Sequence, residues 1–208
     1  MLNAFFEKSK IDWAAIEWVG FDIDGTVYDE FEFIVQVYQE ICSQLVPRNS
    51  VAYDFMLNRW LEKGSSYNKI FDEAYDQFIG GNDKAEFIQS ALQIFRQFSP
   101  NLELNSRAQA LLKFIGANYR TFIVTDGNAV LQRKKVKSLD VEGLLLPEVV
   151  IYTGLYKFSK PDRRVLPLLP KFVNSQNVVF LGDRDKDDRF AAEIGCQFIK
   201  VYNMIENG

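Results

Sequence analysis

Apolar and polar positions along the chain fall into two regimes. From about residue 31 to 98, apolar residues recur at helical spacing almost without a break. Phe33, Ile34, Val37, Tyr38, Ile41 and Leu45 form one stripe, which Pro47 ends. A second, less regular stripe runs through Val51, Phe55, Trp60 and Leu61 and closes at Gly64. Tyr67, Ile70, Phe71, Ala74, Tyr75 and Phe78 then follow the spacing of one helix face. After Gly80-Gly81, Asp83 and Glu86 have the spacing of a capping box ahead of Phe87, Ile88, Ala91, Leu92, Phe95 and Phe98, and Ser99-Pro100 stops the pattern. The block reads as four helices with no strand in it.

On either side of this block the pattern alternates. Apolar runs at 17–21, 120–125, 148–152, 177–181 and 197–202 read as buried strands. Between them, 106–117, 128–139 and 187–194 read as helices, and 161–170 as a helix made short or irregular by Pro167 and Pro170. Strands alternating with helices predict an α/β fold, a Rossmann-like parallel sheet with helices on both faces. Residues 1–29 and 102–208 form this domain. The all-helical, four-helix segment 30–101 is an insertion after the first strand, placed to act as a cap.

Composition narrows the chemistry. Hydrophobic residues make up 48% of the 208, enough for a packed core. There is no histidine, so Ser-His-Asp, Cys-His and His-zinc chemistry are excluded together. Proton transfer near neutral pH then falls to a carboxylate, lysine, tyrosine or cysteine. A net charge of −4 lacks the basic footprint of a nucleic-acid binder. Cys42 and Cys196 have no metal-ligand spacing and read as buried free thiols. No apolar stretch is long enough for a membrane span and the first residues do not read as a leader, so a cytoplasmic protein, a monomer or weak homodimer, is the expectation.

In open parallel sheets, ligands bind beyond the carboxyl ends of the strands. Reading only those ends gives Asp22 and Asp24, then Thr125, then Asp183. Asp22 and Asp24, two residues apart, need their repulsion offset, and a histidine-free, all-oxygen site suits Mg²⁺. Gly25 permits a sharp turn beside them, although Asp-Gly is also a common plain turn. Thr125-Asp126-Gly127-Asn128, at a strand end and helix start, offers a hydroxyl and backbone N–H groups to a phosphoryl oxygen, and reads equally as a helix cap. Lys160-Pro161 adds a cation that alone carries little weight. Residues 183–188 hold four carboxylates, a cation site or a solvated loop.

Taken in order, Asp22-Ile23-Asp24-Gly25-Thr26, Thr125, Lys160 and Gly182-Asp183…Asp187 resemble the four motifs of the haloacid dehalogenase-like hydrolases. Asp187, Ala191 and Gly195 extend the fourth. The resemblance covers about 17–202, and the helical insert looks like the C1 cap of the phosphoglycolate phosphatase and β-phosphoglucomutase branch. Asp126, Ser159 and Arg184 depart from the usual Asn, Gly and Ser.

The resemblance implies a Mg²⁺-dependent phosphatase acting on a small phosphorylated metabolite through an aspartyl phosphate on Asp22. Asp24 would be the acid and base. Thr125, Asp126, Gly127 and Lys160 would hold the phosphoryl group. Asp22, Asp24 (through its backbone carbonyl), Asp183 and Asp187 would surround the metal. Hinges near Asp29-Glu30 and Ser99-Asn101 would let the cap close. Dehalogenases of the family lack the second acid, so Asp24 points to phosphate chemistry. A phosphosugar mutase and a catalytically silent binding domain are the alternatives. Tyr28, Arg48, Arg59, Lys63, Tyr67 and Lys69 are candidates for substrate contacts, whereas Trp60 reads as core.

Overall fold

The structure, a computed structural model, describes residues 2–6, 10–46, 50–172 and 174–206. Pro47 and Arg48 lie outside the described residues. The chain divides into two compact units, Met1–Glu30 with Asn101–Gly208, and Phe31–Pro100.

The first unit is built on a sheet of six strands in the order β3-β2-β1-β4-β5-β6. They are β1 (Trp18–Phe21), β2 (Arg120–Thr125), β3 (Val149–Tyr152), β4 (Val178–Gly182), β5 (Gln197–Tyr202) and β6 (Ile205–Glu206). The first five pair in parallel, so this is the expected α/β fold. The sequence reading omitted β6, which pairs antiparallel with β5 and is only two residues long, too short for a periodic signal. β1 and β4 lie at the centre and are buried throughout, as parallel strands covered on both faces require. Gly20 in β1 has a packing reason: a Cβ there would fall 2.2 Å from the Phe122 ring on the neighbouring strand. Trp18, Phe122, Val124, Ile151, Val165, Val178, Phe180 and Phe190 form one continuous core.

The helices of this unit are α1 (Leu2–Phe5), α6 (Ser106–Asn118), α7 (Ala129–Ser138), α8 (Val141–Leu145) and α9 (Asp185–Ile194). Asn105 caps α6, accepting from the Ala108 N–H at 2.8 Å, and Asn128 caps α7, accepting from the Val130 and Leu131 N–H groups. The short α8 escaped the periodic reading. The segment with Pro167 forms a 3₁₀ turn over Arg163–Leu168, since proline cannot donate to an α-helical ladder.

The second unit holds α2 (Glu30–Leu45, whose first residue belongs to the first unit), α3 (Ser50–Lys63), α4 (Ile70–Phe78) and α5 (Lys84–Gln97). Its described residues contain no strand. Aromatic contacts bind it: Phe33 meets Phe95 edge-on at 5.2 Å, Phe55 meets Phe78 edge-on at 5.3 Å, and Tyr75 meets Phe87 at a tilt at 5.4 Å between ring centroids. Two details differ from the sequence reading. On α3, Val51 and Leu61 are exposed, and the buried residues are Ala52 and Met56, one turn apart. Asp83 precedes α5, but its side chain makes no capping bond; its N–H donates to the Tyr75 hydroxyl at 3.0 Å, taking the bond that Glu86 would have accepted. Among the described residues no helix is long and apolar enough to cross a membrane.

Candidate active site

Asp22 leaves β1 with its N–H still donating to the Leu181 carbonyl, at 2.9 Å, so the central ladder fixes its backbone. The chain then turns at once. Gly25 has φ +75°, and a Cβ on it would fall 2.5 Å from Asp183 Oδ2. The turn is also tied to the β5–β6 connection: the Asn203 N–H donates to the Gly25 carbonyl and the Met204 N–H to the Thr26 carbonyl. Gly25 thus lets the Asp22 loop and the Asp183 loop touch. Gly25→Ala is expected to destabilise the fold by about 1–3 kcal/mol, from the left-handed φ and the carboxylate it displaces, measured by urea unfolding.

Three of the expected residues, Asp22, Asp126 and Asp187, converge on Lys160. Its ammonium is buried and pairs with Asp22 Oδ1 at 2.9 Å and Asp187 Oδ1 at 2.7 Å. Asp187 is fully buried at the start of α9, and its other oxygen accepts from the Arg184 N–H at 3.1 Å. Gly182 makes room for it, since a Cβ there would lie 2.4 Å from that of Asp187. Asp126 holds the Lys160 segment from below: its carboxylate accepts from the Lys160 N–H at 3.0 Å, the Thr153 hydroxyl at 2.8 Å and the Lys186 ammonium at 2.7 Å. That side chain is committed to protein donors. Any phosphate contact of Asp126 would fall to its backbone N–H.

The electrostatics follow from crowding. Burial pushes Asp22 up to about 7 despite Lys160, with the Asp187 carboxylate adding to the rise. Burial also raises Asp183, against the pull of Arg184. Burial opposes the charge on Lys160, but Asp22, Asp187 and Asp126 more than offset it and hold the lysine well above its ordinary range.

Asp24 lies apart from this cluster. Its Oδ1 accepts from the Tyr28 hydroxyl at 2.6 Å and the Lys135 ammonium at 2.7 Å, and its Oδ2 from the Gln132 amide at 2.6 Å. Burial raises Asp24, but Lys135 and these bonds outweigh it and hold the carboxyl below its usual range. Thr125 also meets Gln132, its hydroxyl 3.0 Å from Gln132 Oε1. Sequence reading missed Gln132 and Lys135. The available signal was two polar residues three apart on the face of α7 that also carries Leu131 and Val136.

Among the described residues, Asp22, Asp183 and Asp187 each offer a carboxylate oxygen, all within 4.8 Å of one another. Asp183 Oδ1 is buried with no hydrogen-bond partner. A buried, unpaired carboxylate oxygen beside two more carboxylates fits a hard divalent cation. Arg184 departs from the family pattern, and its guanidinium is occupied by Glu30 at 2.7 Å and Asp183 at 3.4 Å.

Of the substrate-contact candidates, Tyr28, Arg59, Tyr67 and Lys69 are partnered locally. Tyr28 is buried on Asp24. Arg59 binds Glu73 and Glu62, Tyr67 binds Glu73, and Lys69 lies 3.9 Å from Asp72. Trp60 packs against Phe31, their ring centroids 5.6 Å apart. Cys42 and Cys196 are free thiols, the first buried and the second half-buried, pushed by burial to about 11 and about 12.

Residues 19–201 match the family model for haloacid dehalogenase-like hydrolases. The chain belongs to this family. Its similar proteins include the glyceraldehyde 3-phosphate phosphatases of Methanocaldococcus jannaschii, 23% identical over 89% of this chain and 85% of that protein, and of Pyrococcus furiosus, 22% identical over 86% and 77%. Among solved structures, the magnesium-bound HAD-hydrolase YfnB of Bacillus subtilis superposes with a TM-score of 0.69 at 16% identity, covering 89% of this chain and 86% of that one. A protein assigned as a β-phosphoglucomutase of Thermotoga maritima gives 0.67 at 17% identity, over 93% and 88%. These structures establish the haloacid dehalogenase-like fold.

Proposed function

We propose that this haloacid dehalogenase-like hydrolase is a Mg²⁺-dependent phosphatase of small phosphorylated metabolites, with Asp22 as its nucleophile. The observation that carries the reading is Asp22 itself: buried at the end of the central strand, 2.9 Å from the Lys160 ammonium and beside Asp183 and Asp187.

In this reading an Asp22 carboxylate oxygen attacks phosphorus. The bond from phosphorus to the ester oxygen breaks, and the leaving oxygen takes a proton from Asp24. Water then attacks the aspartyl phosphate, Asp24 takes the proton of that water, and inorganic phosphate departs. Dividing one displacement into two lowers each barrier. Lys160 neutralises Asp22 and the phosphoryl oxygens, and the Thr125 hydroxyl with the N–H groups of Asp126 and Gly127 receives them. Asp22, Asp183 and the backbone carbonyl of Asp24 would hold Mg²⁺, with Asp187 beside them. Bound there, the ion would offset the carboxylate charge and polarise a phosphoryl oxygen. Residues 31–100 would serve as the cap, with the chain ends at 29–30 and 99–101 as hinges.

The names of the relatives make three-carbon phosphate esters the first substrates to try. Wild-type protein with Mg²⁺ is expected to release phosphate from glyceraldehyde 3-phosphate or another member of a panel of sugar phosphates, nucleotides and phosphoglycolate. EDTA should lower turnover at least about 100-fold, reversed by adding Mg²⁺. No phosphate from any ester would reject the reading in favour of a silent binding domain, and an isomeric hexose phosphate would indicate a mutase.

A further inference from the structure

We infer that Gln132 and Lys135 of α7 are positioning residues that set the Asp24 carboxylate for proton transfer and tie its placement to that of the Thr125 hydroxyl. The inference rests on the phosphatase reading above and deepens it.

Both side chains are buried, at 3% and 2% exposure. They sit three apart on one face of α7, so a single helix presents both to the end of β1. A lysine is seldom buried without a purpose, because its stem and charge are both better solvated at the surface. Here its ammonium meets Asp24 Oδ1 at 2.7 Å. Gln132 fixes the other oxygen. Ionised at rest, Asp24 accepts there, so the Gln132 amide nitrogen faces Asp24 and the amide oxygen faces Thr125, and the second lone pair of Oδ2 is left to take up the proton that is transferred. One planar amide therefore spans both groups, and neither can rotate without breaking a bond to it. With Tyr28 the two oxygens of Asp24 have three donors, enough to fix the carboxylate plane.

The geometry has a specific chemical consequence. When Asp24 gives its proton to the leaving oxygen, that oxygen has just received the electron pair of its bond to phosphorus. A poor leaving group such as an alkoxide needs the proton. A nitrophenolate hardly does. Residues that aim Asp24 should therefore matter most for alkyl esters.

The test compares wild type, Lys135→Met, Gln132→Leu, Tyr28→Phe and Lys135→Arg, with Mg²⁺, on glycerol 3-phosphate and on 4-nitrophenyl phosphate. The readout is kcat/KM, which covers only the steps through phosphoryl transfer to Asp22. Lys135→Met and Gln132→Leu should lose about 100-fold or more on the alkyl ester and less than about 10-fold on the nitrophenyl ester, in line with the contribution of a positioned acid. Lys135→Arg should recover part of the alkyl activity. Tyr28→Phe, a near-isosteric change that keeps the fold even if the α7 variants do not, should show the same bias at smaller size. Equal losses on the two esters, or none, overturn the inference. Asp22→Asn runs alongside: turnover retained there sinks the phosphatase reading itself, whereas turnover lost there with no leaving-group bias in the other variants overturns the α7 inference alone.

Discussion

Asp22→Asn should lower phosphate release by at least about 10⁴-fold while making the EDTA-treated protein more stable. The activity loss follows from removing the oxygen that would bond to phosphorus; loss of a covalent nucleophile elsewhere costs this much or more. The gain in stability follows from linkage. The Asp22 carboxyl lies near 7 in the folded protein against 3.8 for an unperturbed aspartate. Its folded value is raised, so the stability it contributes is present below about pH 4 and is lost as pH rises through about 7. Asparagine, neutral and of the same shape, avoids that loss. The difference approaches about 4 kcal/mol at pH 8 by the conversion of about 1.4 kcal/mol per pKa unit. Thermal melts in EDTA at pH 5 and pH 8 would read it, and the advantage of the variant should appear only at the higher pH. With Mg²⁺ the wild type should regain most of the difference. A variant less stable than wild type at pH 8 in EDTA would contradict the view of Asp22 as a buried charge awaiting a cation.

Lys160→Met should have the opposite effect on stability. The lysine stands between Asp22 and Asp187, whose side chains are 4% and 0% exposed, and its N–H also binds Asp126. Removing the ammonium leaves two buried carboxylates facing each other. Breaking a buried pair in this way costs about 3–5 kcal/mol, more than the packing of the methionine chain returns. Turnover should fall about 10²–10³-fold even where enough folded protein survives, because the charge on the transferring group loses its cation. Denaturant unfolding would measure the first effect and single-turnover phosphate release the second. The loss of stability should shrink toward low pH, where Asp22 takes up a proton and needs no partner. Of the two substitutions, one removes a charge the fold opposes and the other removes the charge that makes the site tolerable.

The framework of the fold was legible because its signals are local. The five parallel strands show as apolar runs, and the central β1 and β4, covered on both faces, need no polar alternation, whereas β5 alternates buried and exposed positions over its last four residues. β6 is a two-residue pairing that depends on where β5 happens to end, and no window of sequence reveals it. The exposed Val51 and Leu61 show the limit of periodicity: an irregular stripe names the helix but not its buried face. The unused capping box at Asp83 fails for a related reason, because Tyr75, eight residues earlier, reaches the N–H first.

The same division runs through the candidate site. By itself the sequence determined that Asp22, Asp24, Thr125 and Asp183 end or follow central strands, and that chemistry here must proceed without histidine. Those facts follow from chain connectivity and composition. Only the tertiary structure decided how the charges are shared. Asp24 meets Lys135 across 111 positions and Gln132 across 108, and Asp126 meets Lys186 across 60. Nothing local marks such pairs, because a buried cation and its carboxylate are matched by the packing of α7 and α9 against the sheet. Charge in a low-dielectric interior must find its partner wherever the fold brings one within reach.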